Sequence, residues 1–227
     1  MGAEFPSQIK QTILKRAFKT AAECCDAICN LFFYLPCGGE ASFRNKCVKF
    51  ASLKEGDCIL DLCCGTGNLA AAIAKQGITV KLLGVDISES AIETARAKSW
   101  SIPVTFLITS AGDLPFESSQ FDKCFISFGL HHMSRNERRK TLAEVHRTLV
   151  TKGNLYVIDY NLPGKGLRRF AAVALTKLDN KGEAFIMLKS GKLIREIEEA
   201  GFEIAERALT YHGIIQLLQA VKKQAAK

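Results

Sequence analysis

The sequence predicts a doubly wound α/β fold with a mostly parallel seven-stranded sheet, a C-terminal antiparallel hairpin and an N-terminal helical extension. Three observations carry this. Short apolar runs at 59–63, 80–85, 104–108, 121–128 and 154–159 alternate with segments of helical periodicity, the pattern of strands covered on both faces by crossover helices. The first run opens directly into the glycine-rich turn Cys64-Gly65-Thr66-Gly67, a strand-to-helix junction. The last two runs, 202–209 and 213–221, read as two final strands.

The division expected is an extension or lid over 1–50 and a single α/β domain over 51–227, with 161–190 inserted on the substrate side. In the extension, Ile9, Ile13, Ala17, Ala21, Cys25 and Ile28 repeat on one helical face over 8–30. The aromatic cluster Phe32, Phe33 and Tyr34 follows, stopped by Pro36 and the Gly38-Gly39 pair. These rings either pack the added helix onto the core or line a pocket for an apolar acceptor.

The first core strand runs through Ile59, Leu60 and Leu62 with one carboxylate at Asp61, four residues before Gly65. Gly65 and Gly67 permit positive φ and close approach by a ligand, and the following helix leaves unpaired N–H groups at its start. Gly65 to Ala70 also fits the dinucleotide fingerprint, with Asp86 about 20 residues on. A carboxylate at Asp61, however, is misplaced beside a pyrophosphate and suits a ligand carrying positive charge.

Helix punctuation supports the order of elements. Gly77 is placed to end the first core helix. Ser134 and Glu137 are spaced for a capping box, and Leu142, Val145 and Leu149 give the next helix its buried stripe. Arg135, Arg138, Arg139 and Lys140 read as the solvated face of that helix, with contact to anionic lipid as the alternative. A turn at Lys152-Gly153 precedes the fifth strand. Pro163, Gly164 and Gly166 break the chain beyond it, and Phe170, Val173, Phe185 and Met187 are candidates for an apolar acceptor wall or for core. Over 190–200, Leu193, Ile194 and Ile197 face inward, and Gly201 ends the helix.

Composition bounds the function. The chain has 227 residues, 48% of them hydrophobic, and a net charge of +8. The Lys and Arg residues are spread along the sequence without a recognised binding module, which argues against a nucleic-acid partner. The nine cysteines include no C-x-x-C pair and sit mostly in apolar company, the usage of buried thiols in a reducing compartment. No metal site is expected. Neither a secretory signal nor a membrane-spanning stretch is read, so the expectation is a cytoplasmic protein with peripheral membrane contact as its one link to lipid.

The stretch D-L-C-C-G-T-G, the acid in G-V-D-I-S and the loop S-A-G-D-L-P-F together resemble the motifs of class I S-adenosylmethionine-dependent methyltransferases over roughly residues 50 to 160. The resemblance implies a Rossmann-like methyltransferase fold with S-adenosylmethionine as cofactor. It places Asp61, Cys63, Gly65, Thr66 and Gly67 in the first cofactor motif and gives Asp86 the ribose hydroxyls and Ile87 the adenine face. Gly112, Asp113 and Leu114 would read the adenine edge, and Ser127, at the end of the fourth strand, would complete the cofactor site. His131 and His132 follow that strand, where a histidine could deprotonate an acceptor or simply shape the pocket. Tyr34, Tyr160, Asn161 and Phe185 are the candidate acceptor contacts.

Within that superfamily the pattern F-G-L, the run E-V-H-R-T-L-V-T-K-G and the segment C-D-A-I-C-N-L resemble ubiquinone and menaquinone C-methyltransferases. Two positions depart from the group, with His131-His132 where it carries Arg-Asn and Cys25 where it carries tyrosine. The function expected is methyl transfer to a small apolar acceptor of quinol type, with a phospholipid amine or a small hydroxylated metabolite as alternatives. A nicotinamide-dependent dehydrogenase and a non-catalytic cofactor binder are the more distant ones.

Overall fold

The computed structural model describes residues 38–163, 173, 183–188 and 191–224. The expected helix at 8–30, the cluster containing Tyr34, and Phe170 lie outside the described residues. The elements in chain order are α1 (Glu40–Phe50), β1 (Cys58–Leu62), α2 (Asn68–Ala74), β2 (Lys81–Asp86), α3 (Glu89–Arg96), β3 (Val104–Ile108) and β4 (Phe121–Ser127). A 3-10 turn (Leu130–His132), α4 (Arg135–Thr148), β5 (Leu149–Tyr160), α5 (Glu183–Leu188), α6 (Lys192–Glu199), β6 (Phe202–Thr210) and β7 (Ile215–Lys222) follow.

One seven-stranded sheet has the order β3-β2-β1-β4-β5-β7-β6. Strands β1 to β5 are parallel, and β7 runs antiparallel to both β5 and β6. The sheet and its closing hairpin are those the sequence predicts. The winding reverses beside β1, between β2 and β4, and in an open α/β sheet ligands collect at such a switch point, outside the carboxyl ends of the strands.

Two apolar layers cover the sheet. Ile59, Ile73, Phe106, Phe125, Tyr156 and Leu217 belong to one, together with Phe43, Cys47 and Val48 of α1. Leu60, Leu62, Ile126, Leu142, Leu155, Ile197 and Leu218 belong to the other. Residues 40–50 are thus part of the core layer, although they fall in the segment expected to be a lid. Met187, an expected acceptor-wall residue, is fully buried in the second layer. Cys64 and Cys124 are buried free thiols, as their apolar company suggested, and Cys47 is buried as well.

The punctuation is largely where it was expected. Ser134 and Glu137 form a complete capping box on α4, and Gly77 and Gly201 have positive φ. Two expectations need correction. Leu149 is the first residue of β5, because Lys152 at φ 64 and Gly153 form a bulge inside the strand where a turn before it was expected. A Cβ at Gly153 would come 2.8 Å from the Val150 carbonyl, so the bulge needs glycine. Arg138 belongs to no solvated face: it is 2% exposed and pairs through two hydrogen bonds with Glu196 of α6, at 2.6 and 3.0 Å. A guanidinium is tolerated inside the protein only with such a partner. Arg135, one turn earlier, is largely exposed.

Candidate active site

A cavity of about 680 Å³ occupies the switch point. Its lining follows from the topology, because the residues that leave the carboxyl ends of four neighbouring strands converge there. Cys63 comes from β1, Asp86 and Ile87 from β2, Ser110 to Asp113 from the loop after β3, and Phe128 and Gly129 from the end of β4. His132, Met133 and Lys140 close the side towards α4.

Asp86 has both carboxylate oxygens in backbone hydrogen bonds. Oδ2 accepts the Gly65 N–H at 2.8 Å, and Oδ1 accepts the Ser88 N–H at 2.9 Å. The acid thereby fixes the glycine turn while facing the cavity. Beside it Ile87 is 76% exposed, an apolar face that a planar ring could cover. Gly67 caps α2 with φ 80, a backbone shape that costs other residues energy. Gly65 and Thr66 shape the turn and Cys63 reaches the cavity, while Gly129 leaves room for it: a Cβ there would meet the Cys63 Sγ at 2.7 Å. Burial and the carboxylates of Asp86, Asp61 and Asp159 push the Cys63 thiol far up, so it stays protonated.

Asp61 is 1% exposed, and neither of its oxygens has a hydrogen-bond partner. Burial, with a smaller contribution from Asp86, raises its pKa to about 7 against the opposing pull of Arg44. A buried carboxylate without donors is costly unless a cationic or donor group completes it. It lies behind the cavity lining, near Arg44 of α1. The Arg44 guanidinium donates to the Ser127 Oγ at 2.5 Å and lies over the rings of Phe43 and Phe128. Nothing local in the sequence marks Arg44, whose partner lies 83 positions away.

The D-L-P-F loop is held from α4. Leu114 donates its N–H to the Glu144 carboxylate at 2.9 Å, and Arg147 donates to the carbonyls of Phe116 at 2.6 Å and Leu114 at 3.1 Å. Glu144 and Arg147 also pair with each other, at 2.8 Å. Leu114 is buried outside the cavity and its N–H is spent, whereas Ser110, Ala111, Gly112 and Asp113 line it. Sequence reasoning missed Ser110 and Ala111. The signal for the bracing pair was present as the spacing of Glu144 and Arg147 in E-V-H-R.

The two histidines part company. His131 is 1% exposed, and its Nδ1 lies 2.8 Å from Asp159 Oδ1, an oxygen that also accepts the Tyr160 N–H at 2.8 Å. A carboxylate only accepts, so Nδ1 carries the proton. His132 is exposed and lines the cavity, its ring centroid 4.0 Å from that of His131 and within one contact of Tyr160 through that ring. Asn161 is held away by bonds to the Gly213 carbonyl and Arg207 and faces a different cavity. Phe185 lies in α5. Among the described residues no cluster of His, Cys, Asp or Glu could hold a metal ion, and no helix is long and apolar enough to cross a membrane.

Residues 59–153 match a family described as a methyltransferase domain. An uncharacterized methyltransferase of Synechocystis is 30% identical over 81% of this chain and 84% of its own length. A 2-phytyl-1,4-naphtoquinone methyltransferase of Nostoc is 33% identical over 57% of this chain and 58% of its own. The chain thus spans little more than half of the length of that relative. In fold it is similar to a SAM-dependent methyltransferase from Aquifex aeolicus, with a TM-score of 0.68, 19% identity and coverage of 89% of this chain and 97% of the other.

Proposed function

The chain belongs to the class I S-adenosylmethionine-dependent methyltransferases, close to the ubiquinone and menaquinone biosynthesis C-methyltransferases, and from that premise we propose that it methylates a ring carbon of a small, apolar, quinol-type acceptor. The observation that carries the cofactor side is Asp61, a fully buried carboxylate with no donor. It fits the ammonium of an amino-acid group and would repel a pyrophosphate, which separates this reading from a nicotinamide-dependent one. The acceptor class is supported by the Nostoc relative, which is named for a naphthoquinone.

The residues fit the cofactor at both ends. Asp61 and Arg44 carry the charges that an ammonium and a carboxylate need. Asp86 retains lone pairs for two ribose hydroxyls while it holds the turn of Gly65, Thr66 and Gly67. Ile87 covers one face of an adenine, and Ala111 with Asp113 offers a backbone N–H and a carboxylate to its edge, in place of the Leu114 N–H held by Glu144. Ser127 acts through Arg44. When bound, S-adenosylmethionine supplies a methyl group already activated on a sulfonium, so the protein's part is to orient the acceptor and exclude water.

A quinol carbon becomes nucleophilic as its hydroxyl loses a proton. His132, at the cavity, and His131, oriented by Asp159, are the groups to take it. Tyr160, packed on His131, shapes the acceptor side. An apolar acceptor resides in a membrane, so peripheral contact with a bilayer belongs to this proposal.

Calorimetric titration with S-adenosylmethionine and with NAD, followed by mass analysis after incubation with a demethylated quinol, tests it. Binding of the first ligand alone and a gain of one CH₂ on the quinol are expected. Binding of NAD, or a quinol left unmodified while another acceptor gains the methyl group, would overturn it.

A further inference from the structure

The turn after β4 is short. Its 3-10 segment closes on two backbone hydrogen bonds, from the His132 N–H to the Gly129 carbonyl at 3.2 Å and from the Met133 N–H to the Leu130 carbonyl at 3.1 Å. A run of this length gains too few bonds to hold itself. Yet it carries His131 and His132 and ends at Met133, which lines the cavity together with His132.

What holds the turn comes from inside α4. Arg138, buried there, uses all three of its guanidinium nitrogens. Nε and Nη2 donate to the two carboxylate oxygens of Glu196 at 2.6 and 3.0 Å, and Nη1 donates to the Met133 carbonyl at 2.6 Å. Two bonds match the guanidinium to its counter-charge. The third is not needed for that, and it goes to the turn. Met133 is held a second time from the same face of α4, where the Thr141 hydroxyl donates to its sulfur at 3.5 Å. Thr141 lines the cavity as well. Methionine is an adaptable side chain, and two holds on this one make it a fixed part of the cavity wall.

We infer that Arg138 is a positioning residue of this cavity: anchored on Glu196, it fixes Met133 through its carbonyl, and with it the turn that presents His132 to the cavity and His131 to Asp159. On the function proposed above, the groups so placed are the wall and the base that meet the acceptor. Asp61, Asp86 and the Ser110 to Asp113 loop belong to β1, β2 and the end of β3, so the pair governs one half of the site and leaves the cofactor half alone. Glu196 lies in α6, and α5, just before it in the chain, packs on the same turn. The Arg138–Glu196 pair therefore ties the elements beyond β5 to the histidines.

The chain has three methionines, Met1, Met133 and Met187, so protein isotope-labelled at the methionine methyl groups gives an NMR resonance for Met133, assigned by its loss in Met133→Leu. Two variants are compared with the wild type. Arg138→Lys keeps a charge for Glu196 but loses the planar fork that also reaches Met133. Arg138→Leu combined with Glu196→Leu removes the pair and leaves no buried charge behind, an exchange that folds tolerate. Expected in both are a displaced or broadened Met133 resonance and unchanged affinity for S-adenosylmethionine. With them goes a kcat on the demethylated quinol about 10²-fold lower, the cost of a misplacement of about 1 Å. A Met133 resonance that stays in place in both variants, a kcat at the wild-type level in the double variant, or a loss of kcat matched by a loss of cofactor affinity would overturn the inference. Should the double variant fail to fold, Arg138→Lys decides by the same resonance. A wild type that leaves the quinol unmodified overturns the proposed function, and the Met133 resonance then still decides the placement.

Discussion

His131 Nδ1 lies 2.8 Å from Asp159 Oδ1, both side chains closed to solvent, while the neighbouring His132 stands at the cavity. The carboxylate holds the proton on Nδ1, which makes Nε2 the acceptor nitrogen of the neutral ring. The C-methyltransferases that the sequence resembles carry Arg-Asn at these two positions, so here the turn holds an imidazole tied to β5 through Asp159.

Asp159→Asn is expected to lower turnover by about 10²-fold, the lower end of what a general base contributes, and to leave S-adenosylmethionine affinity unchanged. The amide keeps the shape and one acceptor oxygen for the His131 Nδ1–H and the Tyr160 N–H, but removes the negative charge beside the ring. Single-turnover rates together with calorimetry measure both quantities, and a variant with undiminished rate would remove the dyad from the mechanism.

Asp61 supplies a pH dependence of definite sign. Its pKa is raised from 3.8 to about 7, so between those values the folded protein holds a proton that the unfolded chain has released. Stability therefore falls as pH rises through this window and levels off above about 7. At 1.36 kcal/mol per pKa unit, the full cost is at most about 4 kcal/mol. Asp61→Asn should flatten the dependence and raise the melting temperature at pH 8 while abolishing cofactor binding. In the wild type, cofactor affinity should increase with pH up to about 7, because the ammonium requires the carboxylate ionised. A melting temperature equally pH-dependent in both proteins would contradict the assignment.

Glu144→Gln tests the brace on the D-L-P-F loop. The carboxylate accepts from both Leu114 and Arg147, and that hydrogen bonding holds its pKa below the usual range. The pair is partly exposed, so the loss is expected to be about 1 kcal/mol, seen as a several-fold weaker cofactor affinity and faster amide exchange at Leu114. Unchanged exchange at Leu114 would show that the loop stands without the brace.

Where the determinants are local, the sequence was readable. The strand, glycine turn and helix around Asp61, the capping box of Ser134 and Glu137, and the seven strands all depend on neighbours within a few positions. Residues that act across the chain were not readable. Arg44 meets Ser127 from 83 positions away, and Arg138 meets Glu196 from 58. A charge on a helix gives no local sign of a buried partner, which is why Arg138 reads as solvated. Leu114 reads as an adenine contact for the same reason, since only the fold brings Glu144 to its N–H. The division between His131 and His132 follows from a 3-10 turn that sends adjacent side chains to different surroundings.

Asp86 carries two duties, and a pair of substitutions separates them. Its oxygens fix Gly65 and Ser88 and, on the proposed function, hold the ribose. Asp86→Ala removes both and is expected to weaken S-adenosylmethionine by roughly 1.5 to 3 kcal/mol, the range for hydrogen bonds to a charged group, with faster amide exchange at Gly65. Asp86→Asn keeps one oxygen acceptor, which can stay with Gly65 and preserve the turn. It should therefore protect the Gly65 amide almost as well as the wild type yet still lose much of the affinity, because the amide nitrogen cannot accept a ribose hydroxyl proton. If affinity follows Gly65 protection across both variants, Asp86 acts only through the turn. If affinity falls in Asp86→Asn while protection holds, the carboxylate itself reads the ligand.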